Sequence, residues 1–336
     1  MKNPQLPGGR GVRIAGTGSY TPSGVLTNED FSKMVDTSDE WITQRTGIKR
    51  RHICDPSTES SFTMARTALG RAVDVSGIDP STLDLVIVGT VTPVMSCPST
   101  AARLTAEIGA TPAAAFDVAA ACCGFLYSLN LADSLIRVGR ADRVAIVGVD
   151  HMSSILDYDD RSCSILFGDA AGSAVLEATD DTSQGSIYQT MHADGRGWES
   201  LYIPRKPEDV VEGDESESKK LGCLRMNGRE VYKFAVTKFQ RAISSALEAT
   251  GLEPDDVGVF ICHQSNLRII ESAVEKLGLP EDRVYININE YGNTSAGSVG
   301  LCLDEVRKKK LVDESKPMLM VAFGGGMTWS SSVWNW

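Results

Sequence analysis

No stretch of this 336-residue chain approaches the roughly 18–20 consecutive apolar residues of a membrane-spanning helix. The segment from Ala113 to Ala132 comes nearest, and Asp117 and Asn130 interrupt it. The first residues, Met1 to Gly9, contain no apolar core of a secretory signal. Positive charge is not in excess: 33 Lys and Arg stand against 44 Asp and Glu, a formal net charge of −11. That argues against a nucleic-acid binder and leaves room for local basic patches. None of the eight cysteines is spaced as C-x-x-C, nor with histidine as a metal-ligand set, so no zinc is expected. They read as the reduced thiols of a cytoplasmic protein. A G-x-G-x-x-G turn between an early strand and helix is also missing, which disfavours a nicotinamide-dependent dehydrogenase. With 42% hydrophobic and 23% charged residues, 31 Gly and 13 Pro, neither disorder, coiled coil nor collagen fits. At about 100–200 residues per domain, the chain is two domains or one large duplicated unit.

Short β-branched runs alternate with helical patterns. Strands are predicted at 83–89, 115–120 and 143–149, with helices at 100–108 and 122–138. The same order returns as strands at 257–262, 284–288 and 318–323, with helices at 267–277 and 294–309. Continuous apolar strands separated by helices predict an α/β protein with mostly parallel sheet covered on both faces. The repetition predicts an internal duplication, with halves at 1–182 and 183–336; the alternative is one long doubly wound sheet. The polar stretch 208–220, rich in Asp, Glu, Ser and Lys, reads as an exposed loop or insertion. A helix at 230–250 follows. Val231, Phe234, Ala235, Phe239, Ala242 and Ala246 form its apolar face, and Arg229, Lys233 and Arg241 a basic stripe.

Reactive groups gather where strands hand over to helices. In the run from Asp117 to Phe125, Cys122 would lie at a helix N-terminus, where the macrodipole lowers a thiol pKa and favours the thiolate; a small buried thiol is the alternative. His263 ends a strand at a position that lines clefts in α/β proteins, or it caps the next helix. Asn293 lies among small residues before another helix, or is a plain N-cap. Gly324, Gly325 and Gly326 follow a strand and let backbone N–H groups approach a ligand, or form a flexible turn. Together, a Cys nucleophile, a His, an Asn amide and backbone donors suit thioester chemistry.

These segments carry a resemblance. Thr37 to Trp41, Arg45 to Ile48, Asp117 to Phe125, Phe167 to Asp169, His263 to Arg268, Gly292 to Ser295 and Phe323 to Trp329 match, in order, the β-ketoacyl-[acyl-carrier-protein] synthase III family of thiolase-like condensing enzymes. The resemblance implies a duplicated thiolase-like α/β/α/β/α five-layered sandwich and a homodimer. It implies joining of an acyl group from coenzyme A to malonyl on acyl carrier protein, with thioesters as substrates and no metal or redox cofactor. By position it makes Cys122 the acylated cysteine and His263 with Asn293 the decarboxylation pair. The N–H groups of Cys122 and of a glycine among 324–326 become the oxyanion hole. Thr37, Trp41, Arg45, Arg161 and Asn266 fall at the coenzyme A site, where Trp and Arg suit adenine and phosphate.

Gln264 to Arg268 match the carrier-protein contact region. Carrier proteins are acidic, so a chain of charge −11 needs a local positive patch to dock one. Arg229, Lys233, Gln264, Arg268 and Lys276 are the candidates. The run Lys49-Arg50-Arg51 binds phosphate or keeps a loop wet. Two departures from the family stand out. Cys97 replaces a bulky aromatic that gates the partner subunit's acyl pocket, which leaves room for a longer or branched primer. The acidic run from Glu212 to Glu217 is an insertion without an assigned role. A relative working in secondary metabolism (polyketide, alkylquinolone, ketone or olefin type) is the alternative. A non-catalytic scaffold is disfavoured, because Cys122, His263 and Asn293 are all present.

Overall fold

The computed structural model describes residues 9–214, 216–311 and 313–336. The reading of Met1 to Gly8, and Glu215 within the acidic run, lie outside the described residues. Ten strands build two sheets. The first holds β1 (Gly11–Tyr20), β2 (Leu85–Gly89), β3 (Ala114–Val118), β4 (Arg143–Asp150) and β5 (Ala170–Thr179). The second holds β6 (Gly185–Ala193), β7 (Val259–Cys262), β8 (Val284–Tyr285), β9 (Met318–Gly324) and β10 (Thr328–Asn335). Their orders are β3-β2-β4-β5-β1 and β8-β7-β9-β10-β6. Each strand of the first sheet thus has its counterpart at the same place in the second, as duplication requires. The proposed division at 182/183 falls in the turn between β5 and β6.

Each sheet is mixed, which corrects the mostly parallel expectation. β2, β3 and β4 run parallel, while β5 and β1 add antiparallel neighbours. β7, β8 and β9 run parallel, while β10 pairs antiparallel with both β9 and β6. The 284–288 strand is shorter than predicted: β8 ends at Tyr285 and a helical turn, Ile288–Tyr291, follows.

The major helices are α1 (Asp39–Thr46), α2 (Ser61–Ser76), α3 (Thr100–Ile108), α4 (Gly124–Arg137), α5 (Gly228–Thr250), α6 (Leu267–Leu277) and α7 (Gly297–Lys308). Local chemistry sets their ends. Asn227 caps α5 by accepting from the Glu230 N–H, and Gly251 closes it in the left-handed region. Packing forms five layers, as the resemblance implies. α2 and α3 cover one sheet, α5 and α6 cover the other, and α4 with α7 fills the space between the two sheets. Among its described residues the stretch 208–220 is largely exposed, as expected, yet it is anchored. Ser216 and Ser218 are buried, Asp214 pairs with Arg225 at 2.6 Å, and Lys220 pairs with Asp157 at 2.6 Å.

Phe125 of α4 is fully buried in the central layer, against the backbone of α7 at Gly300. Phe125→Ala is expected to cost about 3–5 kcal/mol, as emptied aromatic sites do. Urea unfolding followed by circular dichroism checks this; a loss under about 1 kcal/mol would show that the layer collapses to fill the gap.

Candidate active site

Cys122 sits in a single 3-10 turn, Ala121–Cys123, between β3 and α4. Cys122 lines two cavities. The smaller, about 100 Å³, is lined by Cys122, Phe167, Val231, Tyr232, Phe234, His263, Ser265, Asn266, Asn293 and Phe323. The larger, about 310 Å³, is lined by Val91, Cys122, Met152, Ile155, Leu201, Ile203, Leu224 and Ser295. Cys123 lines neither and packs into the central core, so the side chain presented at this junction is that of Cys122.

Three strand ends converge here. His263 follows β7 and donates its backbone N–H to Val321 of β9 at 2.8 Å. It is buried, neither ring nitrogen has a hydrogen-bond partner, and the Phe323 ring stands edge-on 5.4 Å away. Burial pulls its pKa down to about 3, so the imidazole is neutral and one nitrogen carries a proton without an acceptor. Asn293 is not the N-cap of α7, whose cap position is Ala296. Its Oδ1 accepts the Ser295 N–H at 2.9 Å, which leaves the Nδ2 hydrogens free. Its backbone is clamped in a parallel bridge to Phe167.

Gly324 closes the site from β9. A Cβ there would lie 2.7 Å from the Cys122 nitrogen, so only glycine lets the turn 324–326 come this close. Non-glycine residues with left-handed backbone include Ala121, Ser295 and Met327, all at these cavities. Such strain persists where the surroundings over-determine it, and it clusters at functional sites.

The expected thiolate is not met in the resting site. Burial pushes the Cys122 thiol up to about 12, and the Ser295 hydroxyl, 3.4 Å away, opposes this only in part. An apolar wall outweighs one helical turn. The role of Ser295, 173 positions away in sequence, was not foreseen; nor was the unpartnered hydroxyl of Ser265 in the smaller cavity.

The five residues read as coenzyme-binding lie along one connected surface. Asn266, at the smaller cavity, donates to the Arg45 carbonyl at 3.1 Å. Arg45 and Arg161 place their guanidinium carbons 5.2 and 5.1 Å from the Trp41 ring centre. Arg161 reaches the Asp36 carbonyl at 2.6 Å, beside Thr37, whose hydroxyl is buried without a partner. Arg229, Lys233, Arg268 and Lys276 are exposed on α5 and α6. Gln264 is not, which corrects its assignment to docking. It is buried, donates to the Cys262 and Tyr285 carbonyls, and accepts from the Asn287 and Ile288 N–H groups. Cys97 is exposed and lines neither cavity of its own chain.

Cys54, His151 and Asp169 place ligand-type atoms within 4.8 Å of one another. The Asp169 carboxylate is already engaged by the Cys54 N–H at 2.8 Å and by the Ser153 N–H and hydroxyl at 2.8 and 2.6 Å. Burial and that carboxylate push the Cys54 thiol up, which opposes the deprotonation a metal requires. These bonds instead anchor the Phe167–Asp169 segment.

A thiol held at about 12 leaves thiolate scarce near neutrality. Alkylation of Cys122 by iodoacetamide is therefore expected to rise about tenfold per pH step from about pH 6 to 9 without a plateau. Peptide mapping at each pH measures it, and a plateau near pH 7 would mean a thiolate already formed at rest.

Comparison with known proteins gives a consistent result. Residues 116–195 match the family 3-oxoacyl-[acyl-carrier-protein] synthase III, and residues 247–336 match its C-terminal part. The chain is 46% identical over 323 residues to the β-ketoacyl-[acyl-carrier-protein] synthase III of Caldanaerobacter subterraneus, covering 96% of this chain and 97% of that one. The crystal structure of 3-oxoacyl-[acyl-carrier-protein] synthase III from Aquifex aeolicus superposes with a TM-score of 0.89 at 40% identity, over 97% of this chain and 100% of that one. The priming β-ketosynthase of the R1128 polyketide pathway superposes with a TM-score of 0.88 at 35% identity, over 98% and 97%.

Proposed function

The chain belongs to the β-ketoacyl-[acyl-carrier-protein] synthase III family, and on that premise we propose how its residues carry out the condensation of acyl-coenzyme A with malonyl-[acyl carrier protein] that initiates fatty-acid synthesis. Cys122 Sγ attacks the acyl thioester. The new sulfur–acyl bond replaces the bond to coenzyme A, which leaves as the thiol with the Cys122 proton. The acyl chain lies in the larger cavity. A malonyl thioester then enters the smaller one, where His263 and Asn293 Nδ2 donate hydrogen bonds to its carbonyl oxygen. Loss of carbon dioxide leaves an enolate held by those two donors. Its carbon attacks the acyl-Cys122 carbonyl, whose oxyanion rests on the Cys122 N–H and a donor from the 324–326 turn. Collapse expels the Cys122 sulfur, which takes a proton from water and is restored as the thiol, and releases the β-ketoacyl product.

The observation that carries this reading is the convergence of Cys122, His263 and Asn293 on one cavity, with a buried imidazole whose nitrogens have no partner. A donor pre-aimed in a dry site spends no reorganisation when charge develops. The coenzyme's nucleotide is placed at Thr37, Trp41, Arg45, Arg161 and Asn266, and carrier docking at Arg229, Lys233, Arg268 and Lys276. We place the enzyme in the cytoplasm, in keeping with its eight free cysteines. No described helix is long and apolar enough to cross a membrane.

One observation favours a primer longer than acetyl. A 150 Å³ apolar cavity holds a benzene ring, so about 310 Å³ has space for a chain on the order of ten carbons. The family resemblance to a polyketide priming enzyme keeps the secondary-metabolism alternative in view. Assembly as a homodimer is supported by β3, an edge strand that carries the exposed Phe116, with Val94 and Met95 also exposed.

Intact mass after incubation with acyl-coenzyme A of increasing length tests the first half-reaction. An adduct on Cys122, absent in Cys122→Ala and favouring chains longer than acetyl, is expected. His263→Ala and Asn293→Ala are expected to keep the adduct and to lower carbon dioxide release from the malonyl thioester by about 10²–10³. An adduct elsewhere, or unimpaired release in both variants, would overturn the assignment.

A further inference from the structure

Arg51 belongs to the basic run that the sequence offers as a solvated or phosphate-binding loop, yet it is fully buried. It lies on the short strand Arg50–Ile53, paired with Gly24–Thr27. No carboxylate pairs with it among the described residues. Its guanidinium grips one carbonyl, that of Ile165, through Nε at 2.8 Å and through Nη2. Nη1 donates to Asn28 Oδ1 at 2.5 Å, and the Phe31 ring centre lies 4.7 Å from Cζ. Burial pulls its pKa down only to about 9, so the group remains a cation. Burying a cation without a counterion is costly, and an aliphatic chain of the same volume would fill the space more cheaply. The group is therefore retained for what it holds.

What it holds leads to Asn293. Directly after Ile165, the Leu166 carbonyl accepts the Asn293 N–H at 2.8 Å, and the Gly168 N–H donates to the Asn293 carbonyl at 3.0 Å. Gly292, before Asn293, has φ +65°, and a Cβ there would meet the Leu166 oxygen at 2.8 Å and Arg51 Cγ at 3.0 Å. The arginine stem is thus packed against the turn that presents the Asn293 amide. On its other side, Asn28 Nδ2 donates to Asp39 Oδ1 at 2.8 Å and to the Ile48 carbonyl at 2.7 Å, tying the same guanidinium to both ends of α1.

We propose that Arg51 is a positioning residue for the decarboxylating half-reaction: its two-pronged grip on the Ile165 carbonyl fixes the 166–168 rung that clamps Asn293, and so sets the direction of the Asn293 amide. This rests on the role given to Asn293 above. Lysine cannot replace it, because an ammonium lacks the planar fork. Phe167 of this rung lines the larger cavity as well as the smaller, but Cys122 is held by its own 121–123 turn, so acylation at saturating acyl-coenzyme A depends on the clamp less than decarboxylation does.

The test separates the half-reactions in the full-length enzyme. In Arg51→Met, single-turnover acylation of Cys122, read by intact mass, is expected to stay within about twofold. Carbon dioxide release from the malonyl thioester is expected to fall about 10–100-fold. In an Asn293→Ala background, Arg51→Met should then change release by less than about twofold, because the two act as a unit. Arg51→Lys, which keeps the charge, should show the same split. Equal loss in both half-reactions, or an undiminished further loss in the Asn293→Ala background, would overturn the positioning role. Loss of the cooperative melt in both arginine variants would make Arg51 a folding residue instead. If Asn293→Ala alone leaves release intact, the assignment of Asn293 fails and Arg51 falls with it. If Asn293→Ala abolishes release and Arg51→Met does not change it, only the role of Arg51 fails.

Discussion

The central helix layer is the constraint on which the rest of the molecule depends. α4 and α7 lie between two sheets, so neither has a solvent face to spare, and a helix in that position must be buried nearly all round. Its polar side chains then need protein partners. Asp304 accepts from Thr17, Ser19 and Lys308; Asp133 pairs with Arg137 and the Ser186 N–H. These contacts lock each central helix to the sheets. Because α4 and α7 occupy equivalent places in the two halves, the segments entering them, 121–123 and 293–296, arrive at the same level. The strand ends carrying His263 and Gly324 arrive at that level too. The active site is where a duplicated architecture brings its two entry turns together.

The electrostatic design follows from the same burial. On the proposed assignment the chemistry takes place among neutral groups, a protonated thiol, an uncharged imidazole and a carboxamide, and the charges that meet the coenzyme stay at the surface. Arg45 and Arg161 flank Trp41 at the surface, where the proposed coenzyme site would hold a polyanionic nucleotide without its phosphates entering the low-dielectric interior. An apolar interior also strengthens each hydrogen bond to a developing enolate. The raised thiol is the counterpart of this arrangement, since a wall that shelters an acyl chain also discourages a free thiolate.

Much of this was legible in the sequence, and the failures have physical causes. The parallel strands and their helices stand out because apolar runs such as 143–149 have few other uses. The antiparallel strands do not. β10 contains Ser330, Ser331 and Ser332, all fully buried, and β5 is rich in small residues. Their burial comes from the two-sheet packing rather than from a hydrophobic pattern. Cys122, His263 and Asn293 were singled out because strands hand over to helices near them, and one cavity brings the three together. Their electrostatic state was not, because desolvation depends on the walls. Gln264 and Arg51 were misread for one reason: polar side chains look like surface until the fold supplies carbonyls for them. Ser295 had a motif around it and no stated task, since its distance to Cys122 exists only in three dimensions.

Two cavities meeting at one cysteine have a kinetic meaning. With the primer's chain in the larger cavity and its carrier on the cation-lined surface, the carrier thiol must depart before a second thioester can reach the smaller cavity. The two donors therefore occupy the enzyme by turns, the covalent acyl-enzyme being the only record of the first visit. On the proposed mechanism, free coenzyme A would compete with the incoming malonyl carrier for the acylated form and reverse the acylation. A cell's ratio of acylated to free coenzyme A would then be read directly as the fraction of enzyme primed for the first condensation, without any separate regulatory site.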